Sequence, residues 1–279
     1  MSQPPATIVV PTRDRPDYLD VALASLAPQA AALGAELLVV LDGPDPAGDA
    51  VARRHGARVV AFDAPRGLNA ARNAGVDAAE ADLIAFVDDD VQAPPSWLGA
   101  LLAAVAATPE RDVFTGPIHA VLEGGGPHVC GRDAPPITAF DAGPADTDVP
   151  LGWGANLAIR RSTFETVGRF DETIHNGGDE EEWQERHRGA GGHVRYVAAA
   201  ALDHRRTAAD ATLRKLARAG YHRGRAGRRN DVRKGVAPSL GRELATFAGC
   251  CLHVPRRLCL GGVIMAAHSA GRIREATGR

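Results

Sequence analysis

Three consecutive carboxylates, Asp88, Asp89 and Asp90, directly follow the five apolar residues 83–87. Three adjacent negative charges repel one another, and a divalent cation or several hydrogen-bond donors can relieve that repulsion. Mg²⁺ and Mn²⁺ bind one or two carboxylates together with substrate phosphates. The triplet is therefore a candidate site for a metal and a phosphorylated ligand. The alternative is a solvated acidic turn or a helix N-cap.

A second acidic group, Asp179 to Glu182, follows two glycines and precedes Trp183. On a helix, Asp179 and Glu182 share one face, whereas Glu180 points elsewhere. One of these carboxylates could take a proton from a nucleophilic hydroxyl. The alternative is a charged helix start that the helix dipole stabilises.

The segment 66–75 (RGLNAARNAG) combines forked donors with a glycine. Gly67 permits close backbone approach, and Asn69 could cap a helix whose N-terminus holds an anion or polar ligand. Arg66 and Arg72 offer donors for a phosphate or a base. Alternatively, an arginine on an alanine-rich helix simply faces solvent.

Further polar residues close other apolar runs. Thr12 and Arg13 follow the first run, and Asp42 follows the second. A carboxylate at such a position can accept from ribose hydroxyls, although Asp42 also begins an ordinary turn sequence. His204 could complete a metal shell as a neutral imidazole, or it could be a structural histidine.

Apolar runs alternate with helix-type spacing over the first 116 residues, which predicts a β-α-β-α-β-α-β-α-β order. The predicted strands are 7–10, 37–41, 58–62, 83–87 and 112–116, and the predicted helices are 16–26, 47–55, 69–79 and 96–107. Apolar strands that do not alternate indicate a mostly parallel, Rossmann-like sheet covered on both faces. Ligands of such sheets bind beyond the carboxyl ends of the strands, which gathers the polar residues above on one rim.

The second half of the sequence is less periodic. Residues 119–150 are rich in Gly, Pro and Asp and are predicted to be a long loop over the site. A return strand (153–160), two helices (162–167 and 178–188) and a last strand (193–197) are expected next. We therefore expect a catalytic domain over 1–206 and a helical, basic extension over 207–279.

Composition excludes several classes of protein. The 279 residues are 45% hydrophobic and 24% charged, as in an ordinary globular protein, and the net charge of −2 argues against nucleic-acid binding. Residues 204–279 nevertheless hold 17 of the 32 Lys and Arg but only 4 of the 34 Asp and Glu. This basic segment indicates peripheral contact with an anionic membrane through 205–260, or else packing on the body, dimerisation or binding of an acidic acceptor.

The cysteines and the N-terminus bear on location. Cys130, Cys250, Cys251 and Cys259 form no CxxC pair, so reduced thiols are expected and zinc is not. The first residues lack the pattern of a signal peptide. We expect a cytoplasmic protein, with the membrane contact at the inner face.

Taken in order, eight short pieces resemble an inverting family 2 glycosyltransferase with the glycosyltransferase-A fold. The pieces are 10–15 (VPTRDR), 40–42 (VLD), 66–75, 86–90 (FVDDD), 152–156 (GWGAN), 167–171 (VGRFD), 178–183 (GDEEEW) and 203–205 (DHR). The resemblance covers roughly residues 6–206. It implies a nucleotide-diphosphate sugar as donor, with UDP favoured, a glycan, lipid-linked or small-molecule hydroxyl as acceptor, and a role in cell-surface glycan or glycoconjugate synthesis.

The resemblance also implies roles for individual residues. Asp90 would bind Mn²⁺ or Mg²⁺ with Asp89 and His204, and Glu180 would be the base. The family's Glu-Asp pair reads Asp179-Glu180 here, which leaves Asp179 as the alternative base. The implied donor-binding residues are Pro11, Thr12, Arg13, Arg15, Asp42, Arg66, Gly67, Asn69, Arg72, Asp88, Asp89, Trp153 and Asn156.

Two other functions compete with this one. A nucleotidyltransferase on a similar sheet would want a Gly-rich, Lys-containing loop after strand one, where this sequence has PTRDR. A non-catalytic nucleotide-sugar-binding module would need no base, and the acids at 179–182 argue against it.

Overall fold

The computed structural model describes residues 3–131, 136–174 and 178–278, and of Asp179 only the backbone. The strands are β1 (Thr7–Thr12), β2 (Glu36–Leu41), β3 (Arg58–Ala61), β4 (Leu83–Val87), β5 (Val91–Gln92), β6 (Val113–Thr115), β7 (Ile118–Leu122), β8 (Thr147–Val149), β9 (Asn156–Arg160), β10 (Val194–Tyr196) and β11 (Leu202–Arg206). The helices are α1 (Pro16–Leu33), α2 (Pro46–Arg54), α3 (Leu68–Ala78), α4 (Trp97–Ala107), α5 (Arg161–Val167), α6 (Asp179–Gly189), α7 (Leu213–Arg233), α8 (Leu240–Arg257) and α9 (Gly261–Ala276).

Within the described residues, eight strands form the central sheet in the order β3-β2-β1-β4-β9-β6-β10-β8. The first four strands along this order run parallel, as do β6 and β10. The strand β9 runs antiparallel between β4 and β6, and β8 is an antiparallel edge. The predicted mostly parallel α/β sheet is confirmed.

Both faces of the sheet are buried at its inner strands, as the uninterrupted apolar runs predict. Along β1, Ile8 and Val10 point into one apolar cluster, which α1 and α4 complete. Val9 points into the opposite cluster, with side chains from α3, α5 and α6. Successive residues of a strand face opposite ways, so Ile8, Val9 and Val10 supply both cores in turn.

The sequence predicts one long loop over residues 119–150, and this prediction is wrong. They contain most of β7 and all of β8, and Ile118 and Phe140 exchange both backbone hydrogen bonds at 2.7 and 2.9 Å. The strand β8 is short and largely exposed, and only its pairing with β10 defines it. Such a strand has no hydrophobic pattern by which the sequence could reveal it.

The described residues divide into two compact units. One unit lies within 1–119, 140–175 and 179–204, and the other within 120–139, 176–178 and 205–279. The sequence predicts a separate tail from residue 207. The second unit contains this tail and also residues 120–139 from the middle of the chain, which we call the excursion. Among the described helices, none combines the length and apolar character that crossing a bilayer requires.

Inside the second unit, a buried ionic cluster joins the three helices. Glu243 of α8 is only 3% exposed and accepts from Arg272 Nε at 2.9 Å. Arg228 of α7 also contacts Glu243, at 3.3 Å, and Arg272 reaches Asp231 at 2.6 Å. Because a buried charge is tolerated only when it is paired, this cluster fixes which helix faces meet.

Candidate active site

The acidic triplet and His204 converge because of one short strand pair. The triplet leaves β4 and leads into β5, and β5 pairs antiparallel with β11 so that His204 lies opposite Val91. This pairing puts His204 Nε2 3.1 Å from Asp90 Oδ1, with both side chains buried. One ligand atom each from Asp88, Asp90 and His204 lies within 4.8 Å of the others.

These three side chains fit a divalent cation. Two carboxylate oxygens and one imidazole nitrogen converge, which is a donor set for a hard or borderline cation rather than a soft one. Asp89 is not part of this group, so its predicted metal contact stays a prediction. The cluster gives the chain a possible Asp-Asp-His metal site, without distinguishing Mg²⁺ from Mn²⁺.

Asp89 instead faces the end of β1. Its carboxylate accepts from Thr12 Oγ1 at 2.6 Å and from Arg15 Nη1 at 2.5 Å. The other arm of Arg15 reaches Asp90 Oδ2 at 2.8 Å. Burial raises the pKa of Asp89 to about 7; Arg15 and Thr12 oppose the rise, and the charges of Asp90 and Asp88 add to it. Thr12 and Arg15 thus hold two adjacent carboxylates that would otherwise repel each other.

Asp42 organises the loop before α3. Its Oδ1 accepts from the backbone N–H groups of Arg66 at 2.6 Å and Gly67 at 3.0 Å. Gly67 has φ of 102°, a conformation that favours glycine, and it is the N-cap of α3. Arg13 Nη1 lies 4.0 Å from Asp42 Oδ2. The predicted turn residue is therefore an anchor for the start of the helix.

The prediction that Asn69 caps α3 is wrong. Gly67 occupies the cap without a side-chain bond, and Asn69 Nδ2 donates to the backbone oxygen of Asp171 at 2.7 Å. One turn later, Asn73 exchanges two hydrogen bonds with the backbone of Phe170, both at 3.0 Å. The asparagines of the segment 66–75 thus attach α3 to the residues after α5.

Arg72 is buried, at 2% exposure, rather than facing solvent. Its Nη1 lies 3.8 Å from Glu180 Oε2, and the Gly154 N–H donates to Glu180 Oε1 at 3.3 Å. A Cβ on Gly154 would lie 2.1 Å from Arg72 Nη2, so a larger residue here would displace the guanidinium from its present position. Three separate pieces of the sequence pattern meet here.

This cluster lies at the same sheet edge as the triplet. The antiparallel pairing of β4 and β9 sets Val87 opposite Asn156. Residues 88–90 follow β4 and residues 153–155 precede β9, so both segments leave the sheet at that edge. Since Glu180 binds Gly154, the candidate base and the candidate metal ligands belong to one rim.

Trp153, which precedes β9, and Asn156, the first residue of β9, have different surroundings. Trp153 is 37% exposed. Asn156 is buried, accepts from Trp97 Nε1 at 3.0 Å, and donates to the carbonyls of Pro117 and Ala200. Its role in donor binding, like that of Pro11 in β1 and of exposed Arg66, stays a prediction. The side chain of Asp179 lies outside the described residues, so the choice between Asp179 and Glu180 is open.

Gln184 holds the segment that precedes β9 in place, and no motif in the sequence indicates this role. It is fully buried, accepts from the Gly152 N–H at 2.7 Å and donates to the Gly152 carbonyl at 3.0 Å. Gln184 lies four residues after Glu180, so both side chains leave α6 on one face. That spacing was visible in the sequence, but its partner at 152–154 was not.

Fold and site together define an α/β protein of the glycosyltransferase-A type. A mannosyltransferase, PcManGT from Pyrobaculum calidifontis in complex with GDP-Man and Mn²⁺, has a similar structure, with a TM-score of 0.66 at 14% identity over 100% of this chain and 89% of that one. GalNAc-T7 with UDP, GalNAc and Mn²⁺ gives a TM-score of 0.59 at 15% identity over 81% of this chain and 51% of that one.

The family follows from the sequence comparison. Residues 7–168 match the profile of glycosyl transferase family 2, and the chain belongs to that family. It is 31% identical over 221 residues to the pre-mycofactocin glycosyltransferase of Mycobacterium tuberculosis, covering 75% of this chain and 45% of that protein. It is 29% identical over 209 residues to the validoxylamine A glucosyltransferase of Streptomyces hygroscopicus subsp. jinggangensis, covering 64% and 50%. The chain thus spans about half the length of these relatives.

Proposed function

We propose that this chain transfers a sugar from a nucleotide-diphosphate sugar to an acceptor hydroxyl, with inversion at the anomeric carbon and dependence on a divalent cation. The observation that carries the proposal is the meeting, at one sheet edge, of a cation-ligand set with a separate carboxylate, Glu180. The relatives named as glycosyltransferases support the reaction class. The nucleotide-bound neighbours support UDP and GDP as the first donors to test.

Asp88, Asp90 and His204 would hold the cation. When bound, it acts as a Lewis acid that stabilises the leaving diphosphate. Arg15 keeps Asp90 oriented toward His204, because it holds the second carboxylate oxygen at 2.8 Å. Thr12, Arg13 and the Asp42-anchored loop would border the nucleoside end of the donor.

Glu180 would be the base. It accepts the proton of the acceptor hydroxyl while the oxygen forms a bond to the anomeric carbon and the bond to the diphosphate oxygen breaks. The electron pair leaves with the nucleoside diphosphate, and a single in-line displacement inverts the carbon. Arg72 and the Gly154 N–H fix the Glu180 carboxylate, which keeps its two oxygens in defined directions.

Donor and metal binding are tested first by thermal shift. UDP-, GDP- and dTDP-sugars are added with and without Mn²⁺, because a ligand that binds the native state raises the melting temperature. We expect a nucleotide shift that requires Mn²⁺ in the native chain and is lost in Asp90→Asn. Asp82→Asn is the matched control, since Asp82 precedes the same strand at its other end and is 54% exposed. A metal-dependent shift that survives in Asp90→Asn would contradict the metal site.

The base is tested by turnover. We expect Glu180→Gln to keep the nucleotide-induced shift and to lose transfer by about 10²–10⁴-fold, the usual contribution of a general base. Glu182→Gln is the control, because Glu182 lies on the same helix and pairs with Arg186 at 2.7 Å instead. If Glu180→Gln retains turnover and Asp179→Asn does not, Asp179 is the base.

We propose, in addition, that the chain contacts an anionic membrane through residues 205–260, at the inner face. Leu240, Leu244 and Leu252 of α8 are 42–50% exposed, and Leu258 just beyond the helix is 81% exposed. Arg256 and Arg257 at the end of α8 are exposed as well. A helix with apolar and basic residues on its free surface is suited to lie in an anionic interface, near a lipid-linked acceptor.

A further inference from the structure

A second cluster of metal-ligating side chains lies in the unit that contains the C-terminal helices. Cys130, His253 and Cys259 each offer one ligand atom, and these atoms lie within 4.8 Å of one another. Cys259 is fully buried and the other two are half-buried. The four cysteines are all among the described residues, and none forms a disulfide. The proposed transfer reaction uses none of these side chains.

The turn between α8 and α9 brings two of the ligands together. His253 lies near the end of α8, and the helix stops at Leu258, which adopts the left-handed conformation with φ of 49° and ψ of 38°. That conformation is sterically unfavourable for a residue with a Cβ. Cys259 follows directly and turns inward, while Leu258 itself is 81% exposed. Leu258 is therefore held in this conformation by its neighbours and not by burial of its own side chain.

The third ligand arrives from the excursion 120–139, and its backbone is part of the cluster. The Cys130 N–H donates to Cys259 Sγ at 3.2 Å, and Cys130 Sγ lies 3.5 Å from His253 Nε2. The Leu260 N–H donates to the His128 carbonyl at 3.0 Å. A Cβ on Gly261 would lie 3.2 Å from Cys259 Sγ, so glycine keeps the sulfur uncrowded. Backbone N–H groups directed at a sulfur are the usual outer contacts of a metal-bound thiolate.

We propose that Cys130, His253 and Cys259 bind one Zn²⁺ ion. Two thiolates and an imidazole are a soft-to-borderline donor set that suits zinc, and three protein ligands leave one tetrahedral position for water. On binding, each thiol loses its proton to solvent and each sulfur forms a bond to the metal, so two protons are released per ion. The ion would tie the excursion to the turn between α8 and α9.

The sequence predicts no zinc site, because it contains no CxxC pair. Cys130 and His253 are 123 residues apart, so only the fold brings the ligands together. The local spacing, six residues from His253 to Cys259, matches no common zinc motif. A spacing rule therefore cannot detect this site.

Cobalt spectroscopy tests the site without reference to activity. The full chain is stripped of metal under reducing conditions and titrated with Co²⁺, which gives a thiolate-to-cobalt charge-transfer band in the near ultraviolet only when sulfur is a ligand. The Asp88-Asp90-His204 site cannot produce that band, because it contains no sulfur. We expect one equivalent of Co²⁺ to saturate the band and Zn²⁺ to abolish it.

Variants assign the ligands. We expect the band to disappear in Cys259→Ser and to be lost or strongly weakened in Cys130→Ser and His253→Ala. Cys251→Ser is the matched control, because Cys251 is exposed and lies on α8 with His253. This variant should keep the full band. Circular dichroism shows whether each variant folds, and half-buried His253 remains a usable probe if the buried Cys259 variant does not.

Two results would overturn the proposal. One is a folded, reduced native chain that shows no charge-transfer band with Co²⁺. The other combines two findings on the protein as purified: it contains no metal, and a thiol titration finds two fewer thiols before reduction than after it. Cys130 and Cys259 would then be a disulfide pair.

Discussion

The three adjacent aspartates have three different environments. Asp88 is half-buried, Asp89 is held by Thr12 and Arg15, and Asp90 lies between Arg15 and His204. Their residue type indicates a cation site. Their order along the chain does not indicate which carboxylate oxygens bind other side chains and which face a ligand. The pairing of β5 with β11 decides that, since it selects Asp90 as the neighbour of His204.

His187 makes the stability of this chain sensitive to acid. It is 3% exposed and its ring stacks on Trp183, with centroids 5.6 Å apart. Burial lowers its pKa below the ordinary 6.5; Asp112 opposes this shift and His193 adds to it. Below pH 6.5 the unfolded chain takes up the proton before the folded chain does, so the free energy of unfolding falls as the pH falls.

We therefore expect the melting temperature to decrease between about pH 7.5 and about pH 5.5, with a smaller decrease in His187→Phe, which keeps the stacked ring and cannot be protonated. The slope of the melting temperature against pH is compared between the proteins. A packing cost of the larger ring that does not depend on pH has no effect on this slope. The control is His119→Phe, because the His119 side chain is 55% exposed. Equal slopes in all three proteins would contradict the assignment to His187.

At the scale of elements, α6 connects the site to the core. One face carries Glu180 and Gln184 against residues 152–154, and Trp183 donates to the Gly168 carbonyl at 2.8 Å. The sequence predicts this helix at 178–188, and the structure has it at Asp179–Gly189. The helix was predictable from local spacing, but the residues that it contacts were not.

The helices α7 and α9 pack through glycine. A Cβ on Gly224 would lie 1.9 Å from the His268 carbonyl oxygen, and one on Gly271 would lie 2.0 Å from that of Tyr221. Both obstacles are backbone atoms, which cannot rotate away as a side chain can. The two helices therefore approach closely only because these positions lack a side chain.

We expect Gly224→Ala to destabilise the chain by about 1–3 kcal/mol, because the added methyl group overpacks the helix crossing. The matched control is Gly249→Ala in α8, where nothing lies within 4 Å of the added Cβ. That change should stabilise by about 0.5–1 kcal/mol, the usual gain from alanine in a helix. Chemical denaturation followed by circular dichroism measures both. Equal effects of the two substitutions would mean that α7 and α9 are not in close contact.

Prediction from sequence succeeded for elements whose own residues define them. The run 83–87 matches β4 at both ends, and the predicted helix at 96–107 begins one residue before α4. It failed for β5, β7, β8 and β11, which lie in no predicted strand and are defined by the strands that they pair with. The candidate site shows the same division. Its residue types and their common sheet edge were predictable from the sequence, whereas the pairing of Arg72 with Glu180 depends on the fold.

At the scale of the whole molecule, charge is divided unevenly along the chain. The unit with the sheet holds the acidic triplet and the acids of α6, whereas residues 204–279 hold 17 of the 32 Lys and Arg. Several of these arginines are used inside their own unit, as Arg228 and Arg272 are by Glu243. Exposed arginines therefore do not by themselves indicate a membrane contact. The membrane proposal depends on the leucines at the exposed surface of α8.

The membrane contact is tested by sedimentation with vesicles of phosphatidylglycerol and of phosphatidylcholine. We expect binding to the anionic vesicles, weakened by salt because the arginines are screened. Leu244→Ser and Leu252→Ser should each weaken it by roughly tenfold or more, since burying one leucine is worth about 1.5–3 kcal/mol. Leu33→Ser on α1, at 44% exposure, is the matched control and should bind like the native chain. Equal binding to neutral vesicles, or equal loss in all three variants, would mean that α8 does not lie in the interface.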